Sequence, residues 1–402
     1  MPGVRPRKEG RDPQHQMTRG AMYECGCRDL NPERAGRPFS DFNQRGLTGR
    51  VPSLKSPIVA RQSWCCEANP RMVEVAGAPK IEGLVFRRFK DKSDYSVMSS
   101  VGKRSWEADG VDNVETEEEL ANEYANLSNR DSSSEVVIAE VNGDVVAYGR
   151  IWLEPGSGGE RVFWHISHAV PEWRKVGLRL AIFRFNEMQI RLMARNRPWT
   201  GKTSCGAWAL DEPNDWREMV LAEGYSPVMH FYEMIRQNLE DISDNPLPEG
   251  LELRAAQPEH YPEIWNAHKE AFREKPWFVE SRYDREQYGL WLNEPTFMPD
   301  FWQVAWDGDR IAGMAENHVP LENLAFDRKR GHTQILFVLP EWRRRGLAKA
   351  LLAKSLVMMR ERGLKEATLD VETQNTSGEI QLYGSMGYIV ARTYAHYRKS
   401  ID

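Results

Sequence analysis

A basic turn between an apolar segment and an amphipathic helix is the part of this sequence best suited to specific chemistry. It reads Val338-Leu-Pro-Glu-Trp-Arg343-Arg344-Arg345-Gly346-Leu347-Ala348-Lys349. A helix N-terminus presents free backbone N–H groups and the positive end of the helix dipole, so this turn predicts a pyrophosphate site. Gly346 and Ala348 are small enough for a phosphate to approach the backbone, and the three arginines add positive charge.

Two other interpretations of the arginine run are weaker. A solvated helix start normally prefers acidic residues, whereas this one carries three arginines. A nucleic-acid site needs a basic face. Because 13 of the 54 basic and 7 of the 59 acidic residues lie in positions 1–71, the remainder has 41 basic against 52 acidic residues. We therefore expect a bound phosphate group and no nucleic-acid partner.

Residues 1–71 differ in composition from the rest of the chain. They are basic, rich in Pro, Arg, Gly, Ser and Gln, and show no apolar period, so we expect a disordered tail. A sharper hypothesis is that Met72 is the true start and that this tail is a misassigned upstream extension. Four of the five cysteines lie here (Cys25, Cys27, Cys65 and Cys66) at spacings unlike those of structural zinc sites, so we expect no metal.

A near copy of the basic turn lies earlier in the chain, as Ala169-Val-Pro-Glu-Trp-Arg174-Lys-Val-Gly177-Leu-Arg179. Apolar periodicity and turn residues predict the same order of strands and helices around both turns. In the second copy the predicted strands are 251–255, 302–306, 311–316, 332–338, 366–371 and a final strand pair; the predicted helices are 259–272, 282–292, 346–362 and 377–386. The chain thus divides into the tail 1–71, a first copy at 72–242, a linker at 243–250 and a second copy at 251–402.

Two motifs resemble signatures of the GCN5-related N-acetyltransferase (GNAT) family. Arg343-x-x-Gly346-x-Ala348 is similar to the family's Q/R-x-x-G-x-G/A, and Asn375-x7-Tyr383-x3-Gly387-Tyr388 is similar to its downstream Asn…Tyr…Gly-Phe/Tyr element. With the partial copy, the resemblance covers about residues 81–240 and 250–400. It implies an α/β fold (α+β by some schemes) of two tandem acyl-CoA N-acyltransferase domains. Each would be a mixed, mostly antiparallel twisted sheet flanked by helices, with a splayed parallel strand pair.

The resemblance also implies how coenzyme A (CoA) binds. Its pantetheine arm would lie between the splayed strands and pair with the backbone of the fourth strand, and its pyrophosphate would lie on the basic turn. Asn375 would position CoA or a water molecule, although a helix N-cap is an alternative role. The implied CoA-binding residues are Leu336, Phe337, Val338, Arg343, Arg344, Arg345, Gly346, Leu347, Ala348, Lys349 and Asn375.

The implied catalytic groups are a tyrosine acid and a carboxylate base. Tyr383 matches the family tyrosine that protonates the departing CoA sulfur, although it could instead be a core aromatic residue. Asp370 occupies a position where some relatives carry the base, and strand alternation places Glu372 on the same face. Where other relatives have an acid, this chain has Gln334, which cannot accept the proton, and Glu316 is a further candidate. A surface carboxylate remains the alternative interpretation of Asp370.

The first copy lacks this chemistry at each corresponding position. Arg179 stands where the family has Gly or Ala, Val220 stands at the position of Tyr383, and the carboxylate position falls in an apolar stretch near Trp208. We therefore predict that the copy at 72–242 is non-catalytic, and that the copy at 251–402 carries the activity.

These observations predict an N-acetyltransferase that moves an acetyl group from acetyl-CoA to a primary amine of an unidentified small molecule. The amine would attack directly in a ternary complex. The alternative is a non-catalytic acyl-CoA-binding module with a regulatory or structural role. No segment is long and apolar enough to predict a membrane span, and Cys205 is the only cysteine after residue 71, so a cytoplasmic protein is expected. The oligomeric state stays open.

Overall fold

The computed structural model describes residues 71–401, except 112–113, 127–131, 198, 324–325 and 375–377. The tail, with its four cysteines, and Asn375 therefore lie outside the described residues, as does the predicted helix start at 377. Among the described helices, none has the length and apolar character needed to cross a membrane.

Twelve strands form one continuous sheet in the part of the chain that the structure describes. They are β1 Leu84–Arg88, β2 Val136–Val141, β3 Asp144–Pro155, β4 Arg161–Ala169, β5 Thr203–Leu210, β6 Ser226–Arg236, β7 Glu252–Arg254, β8 Gln303–Asp307, β9 Arg310–His318, β10 Arg330–Val338, β11 Glu366–Glu372 and β12 Ile389–Ser400. Their order across the sheet is β1-β2-β3-β4-β5-β12-β6-β11-β10-β9-β8-β7. Only β4–β5 and β10–β11 are parallel pairs within this sheet. The expected mixed, mostly antiparallel fold is confirmed.

The α-helices of the described residues flank this sheet. They are α1 Ser93–Ala108, α2 Glu117–Asn126, α3 Ser132–Glu135, α4 Leu178–Asn196, α5 Asp215–Ala222, α6 Tyr261–Phe272, α7 Arg285–Leu292, α8 Leu347–Glu361 and α9 Glu379–Ser385. Helix α8 shows why they form: Leu347 and Leu351 are buried one turn apart, Leu352 is buried beside them, and the helix is followed by Gly363 at φ 82°.

The two copies exchange their last strands. Strand β6 ends the first copy, yet it pairs with β11 of the second copy, Phe231 opposite Glu372 and Arg236 opposite Ala367. Strand β12 ends the second copy, yet it pairs with β5 of the first, from Tyr394 to Ser400. Each copy therefore supplies the innermost strand of the other copy's half of the sheet. The sheet reads as the same six-strand series from either end.

The second copy ends in one strand where the sequence predicts a strand pair. Strand β12 runs without a turn, but its register against β6 shifts between Val390 and Arg392 and again between His396 and Tyr397. A bulge interrupts the alternation of side chains without reversing the chain. Because the bulges interrupt the alternation of apolar and polar residues, the sequence pattern predicts two short strands in place of one long strand.

The parallel strands of each copy separate part-way along their length. Strands β10 and β11 pair only as far as Thr333 and Leu369, although they continue to Val338 and Glu372. On its other side β10 has a register shift between Thr333 and Ile335, where Gln334 is the extra residue. Strands β4 and β5 likewise pair only from Arg161 to Trp164 on the β4 side. The predicted splay is present in both copies.

Helices cover the two ends of the sheet on both faces. A Cβ on Gly331 would meet Met359 of α8, whereas the ring of Phe337 lies 6.0 Å from that of His268 on α6. Between the two copies the face that carries α1 and α6 is more open, because Gln334 and Asp370 are exposed there. We call the side chains of His332, Gln334, Asp370, Glu233 and Tyr394 on this side the central face.

We expect the second copy to be unstable when it is expressed alone as residues 251–402. Removing β6 leaves β11 with a bare edge and takes β12 away from both of its partners, so backbone hydrogen bonds and buried apolar contacts are lost together. Circular dichroism melting and size-exclusion chromatography should show aggregation or a broad transition. Co-expression with residues 72–250 should restore the cooperative melt of the full chain. A monomeric isolated copy that melts as the full chain does would contradict this exchange.

Candidate functional site

The basic turn forms an uncapped helix N-terminus. Gly346 is the N-cap of α8 with φ 87°, no side chain caps it, and no acidic residue lies in the first turn. The first intrahelical bond in this turn runs from the Ala350 amide to the Gly346 carbonyl at 3.0 Å. The amides of Leu347, Ala348 and Lys349 precede that bond and have no acceptor within the helix. These amides and the helix dipole together favour an anion at this point.

Backbone conformation marks the same turn as specialised. Gly346 lies in the left-handed region, and a Cβ built on it would have no atom within 4 Å, so the turn opens to solvent there. Arg344 is also left-handed, at φ 61°, which is uncommon for a residue with a side chain. Arg344 and Arg345 are exposed, so both guanidinium groups can move to a ligand.

Arg343 has a bracing role in the turn. Its Nε donates to the Val338 carbonyl at 3.0 Å, and its Nη1 donates to Glu274 Oε2 at 2.6 Å. In the first copy Arg174 donates in the same way to the Ala169 carbonyl, at 3.3 Å. The arginine therefore closes the loop against its own strand in both copies. Direct binding of CoA by Arg343 stays a prediction.

The strand segment predicted to bind pantetheine lies beyond the point where β10 leaves β11. Leu336 and Val338 are half-buried, whereas Phe337 is buried against α6. On the β9 side these residues keep their partners, from Leu336 opposite Ala315 to Val338 opposite Gly313. Toward β11 the pairing has ended, so this edge of β10 can accept an extended ligand.

A buried polar network fixes the place where the strands separate. Thr333 Oγ1 donates to Asn317 Oδ1 at 2.7 Å, and Asn317 Nδ2 donates to Ser355 Oγ at 2.9 Å. Ser355 in turn donates to the Leu351 carbonyl at 3.0 Å. Because these buried groups satisfy one another, β9, β10 and α8 are held together at the last paired residue of β10.

Tyr383 lies in an apolar cluster beneath the splay. It is 6% exposed and clusters with Leu352, Leu356 and Met386, and Leu336 of the predicted pantetheine segment packs against the same cluster. Burial raises the pKa of the Tyr383 phenol, which keeps its proton in place. This position agrees with the interpretation of Tyr383 as a core aromatic residue. It also places Tyr383 near β10, the strand predicted to bind pantetheine. Its catalytic role stays a prediction.

Asp370 lies on the central face. Its side chain is 40% exposed, yet the surrounding protein removes much of its hydration and raises its pKa to about 6. The Tyr394 hydroxyl acts as a hydrogen-bond donor toward Asp370 and opposes that rise. Glu372 lies two residues on, on the same face of β11. A carboxylate with this pKa is ionised at neutral pH and can still accept a proton.

Glu316 is the further carboxylate on this side of the sheet. It lies on β9 opposite Ile335, next to the bulge, and its Oε1 accepts a hydrogen bond from Trp291 Nε1 at 3.1 Å. Burial raises the pKa of Glu316 to about 7. One strand, β10, separates Glu316 from β11.

Comparison with known proteins identifies the family. The family model described as "Acetyltransferase (GNAT) family" matches residues 261–388. A mycothiol acetyltransferase of Geodermatophilus obscurus is 25% identical over 285 residues, 70% of this chain and 86% of that protein. Residues 261–388 are therefore a GCN5-related N-acetyltransferase domain, and the similar proteins support the same superfamily for the chain. The protein is an acyltransferase that uses an acyl-CoA.

Solved structures of GNAT proteins share the fold. A GCN5-related N-acetyltransferase from Sphaerobacter thermophilus has a TM-score of 0.61 and 21% identity, over 80% of this chain and 96% of its own. A tandem GNAT protein from the clavulanic acid biosynthesis pathway has a TM-score of 0.57 and 14% identity, over 79% of this chain and 98% of its own. These likenesses fit two GNAT copies in one chain.

In the first GNAT copy the space between the splayed strands is filled by protein. Arg179 is 4% exposed, and its Nε donates to the Ser167 carbonyl of β4 at 2.8 Å. Ser167 corresponds to Leu336 in the second copy, so this guanidinium bonds backbone that would pair with pantetheine. Arg179 Nη2 also donates to Asp109 Oδ2 at 2.7 Å. In the second copy the corresponding residue is Ala348, whose side chain ends at Cβ and cannot make these bonds.

The segment after α1 completes this filling. Asp109 also accepts from Arg174 Nη1 at 2.8 Å, so one buried carboxylate pairs with two arginines. Trp106 stacks on Trp208 of β5 with ring centroids 4.5 Å apart. In the second GNAT copy Glu274 holds Arg343 from the equivalent place after α6, but its side chain is 64% exposed.

The structure shows which residues of the first copy stand at the positions of Tyr383 and Asp370. The Tyr225 amide donates to the Val220 carbonyl, as the Tyr388 amide donates to the Tyr383 carbonyl. The two helices therefore end in the same way, and Val220 occupies the position of Tyr383. The pairing of β4 with β5 places Ala207, which is 1% exposed, where Asp370 lies. An apolar residue therefore stands at the carboxylate position.

Sequence reasoning missed three residues near Asp370. Glu233 lies directly opposite Asp370 on β6, and Tyr394 reaches Asp370 from β12. Both come from exchanged strands, so no local motif could place them. His332 lies on β10 with its Nε2 3.8 Å from Asp370 Oδ2. Its position two residues before Gln334 is a usable sequence signal, because alternate residues of a strand lie on the same face.

Replacement of Asp109 by Asn should destabilise the protein by about 3–5 kcal/mol. The change leaves Arg174 and Arg179, whose side chains are 8% and 5% exposed, without their shared carboxylate. Urea unfolding should measure this loss. Glu172→Gln is the matched control, since the Arg104–Glu172 pair is 48% and 63% exposed and should contribute at most about 1 kcal/mol. Equal effects of the two changes would show that the buried pair has no special role.

Proposed function

We propose that the second copy transfers an acetyl group from acetyl-CoA to the primary amine of a small molecule by direct attack in a ternary complex. The observation that carries this proposal is the contrast between the copies. In the first copy Arg179 bonds Ser167 of β4 and Asp109 at the splay, whereas the second copy has Ala348 at the position of Arg179. Only the second copy also combines the open splay with a carboxylate, Asp370, and a tyrosine, Tyr383.

CoA would bind through main-chain groups. The amides of Leu347, Ala348 and Lys349, with the flexible side chains of Arg344 and Arg345, would hold the pyrophosphate. The pantetheine would extend along Leu336 to Val338 and complete the edge of β10 that β11 has left. A main-chain N–H near the bulge at Gln334 would polarise the thioester carbonyl, as an oxyanion hole does.

The chemistry then needs one base and one acid. The amine nitrogen attacks the thioester carbonyl, the C–S bond breaks, and an amide forms. Asp370 takes the proton that the amine loses, directly or through water, and Tyr383 supplies a proton to the departing thiolate. The raised pKa of the Asp370 carboxyl, near 6, suits a base that works at neutral pH. Glu372 and Glu316 are the second choices for this base.

The acceptor is expected to be cationic before it reacts. Asp370, Glu372 and Glu233 bring three acidic side chains to adjoining positions of β11 and β6, and such a surface attracts an ammonium group. The relatives named as mycothiol acetyltransferases make that small-molecule class the first to test. A cytoplasmic location stays a prediction. The first copy would serve to support the sheet and the central face, without turnover of its own.

Gly346→Glu should abolish CoA binding. The change adds a negative charge and a side chain where the phosphate would lie, so titration calorimetry should show affinity reduced at least about 100-fold, while the wild type binds one CoA per chain. Gly363→Glu is the matched control, because Gly363 also has a left-handed φ, of 82°, and open space around it at the far end of α8. Equal loss in both variants, or two CoA molecules per wild-type chain, would refute this placement.

Activity should fall below about pH 6 because Asp370 must be ionised to accept a proton. Thiol release from acetyl-CoA should give a kcat/KM that rises with one acidic limb near that pH. Asp370→Asn should lower kcat/KM by about 100-fold or more and remove the limb. Tyr394→Phe removes a donor that lowers the Asp370 pKa, so the limb should move to higher pH. If Glu372→Gln removes the limb and Asp370→Asn does not, the base is Glu372.

A further inference from the structure

His332 and Asp370 face each other on the central face without bonding. His332 Nε2 lies 3.8 Å from Asp370 Oδ2, which is too long for a direct hydrogen bond. The His332 side chain is 15% exposed and that of Asp370 is 40% exposed, so both can be reached from the open side.

Thr368 sets the protonation of the His332 ring. The Thr368 hydroxyl donates to the Gly331 carbonyl at 3.3 Å, which uses its single hydrogen. Its oxygen lies 3.0 Å from His332 Nδ1 and therefore accepts the Nδ1 hydrogen. Burial lowers the pKa of His332 to about 4, so the ring is neutral at neutral pH. Nε2 then carries a lone pair directed toward Asp370.

We infer that His332 Nε2 and Asp370 Oδ2 form a two-acceptor site for the amine of the acceptor, which selects a primary amine. The inference rests on the proposed function. A nitrogen about 2.9 Å from each acceptor could donate one N–H to each. A primary ammonium that has lost one proton to water keeps two N–H groups for the site, with its lone pair free for the thioester. A neutral secondary amine has only one. Asp370 stays ionised until the C–N bond forms and then takes the second proton.

The charges around the pair favour this occupant. Glu372 flanks Asp370 on its own strand, Glu233 lies opposite it on β6, and Tyr394 donates toward it from β12. Two positive charges lie nearby. Arg392 lies opposite Glu233 on β12, and Arg330 lowers the pKa of His332 through its positive charge. His332 is thus a substrate-binding residue, and Thr368 a positioning residue that acts through it.

The ring tautomer can be measured without turnover. Nitrogen-15 NMR of the full chain labelled at histidine, with His332→Gln to assign the signal, should show Nδ1 protonated and Nε2 bare at pH 7. The Nε2 signal should also shift as Asp370 titrates near pH 6, and Asp370→Asn should remove that shift. Thr368→Val should allow both tautomers. The inference would be overturned if the wild-type ring carried its hydrogen on Nε2, or if the Nε2 signal did not shift as Asp370 titrates.

Kinetics with paired probes test the selectivity. With acetyl-CoA, benzylamine should outperform N-methylbenzylamine in the wild type. His332→Phe should raise the KM for benzylamine about 10- to 100-fold, the usual effect of losing a hydrogen bond to a charged group, with a smaller change in kcat. His332→Gln keeps an acceptor oxygen and should recover most of the loss. His318→Gln, a histidine on β9 whose ring centroid lies 5.2 Å from that of His332, is the control and should change little.

The outcomes separate this inference from the proposed function. If His332→Phe and the control behave alike while the wild type acetylates amines, the two-acceptor site is wrong and the function stands. If the wild type acetylates neither probe nor any amine of a wider panel, the proposed function fails. The NMR result then decides alone whether the pair has the inferred protonation.

Discussion

The end of the parallel pairing between β10 and β11 after Thr333 is the constraint on which the rest of this structure depends. Two neighbouring strands that separate leave backbone N–H and C=O groups without partners, and such groups must be satisfied when they are buried. The first copy satisfies them with its own side chains, chiefly Arg179. The second copy keeps the gap between its strands, so an extended ligand can supply the missing partner. Both copies thus solve one problem of backbone chemistry in different ways.

The exchange of β6 and β12 decides what surrounds the reacting groups. Asp370 belongs to the second copy, but its cross-strand neighbour Glu233 comes from the first, and Tyr394 lies on the strand that joins the first copy's sheet. Asp370, its hydrogen-bond donor Tyr394 and its acidic neighbour Glu233 are therefore held by a single sheet. No hinge between separate domains is needed to assemble them. The first copy contributes Glu233 to the surroundings of Asp370 through the strand that it lends.

Much of the fold and part of the site could be predicted from the sequence. Local patterns predict the turn at Gly346 and the long helix after it, and the structure contains both. They also predict that the first copy has no counterpart of Tyr383 or Asp370, and the structure places Val220 and Ala207 there. The bracing role of Arg343 could not be predicted, because it depends on Glu274, far away in sequence.

The strand exchange was equally hidden. Alternation tells which residues of β6 face the core but not which neighbour the strand will choose. Alternation with Gln334 predicts the face on which His332 lies, but its contacts with Thr368 and Asp370 depend on which strand pairs with β10.

The ion pair between Arg179 and Asp109 also constrains how this protein can change. Replacing either residue alone leaves the other as an isolated charge in an interior that cannot hydrate it. Both charges must therefore be removed together if the protein is to keep its stability. Two simultaneous mutations are rarer than one, so the buried ion pair resists loss by stepwise change.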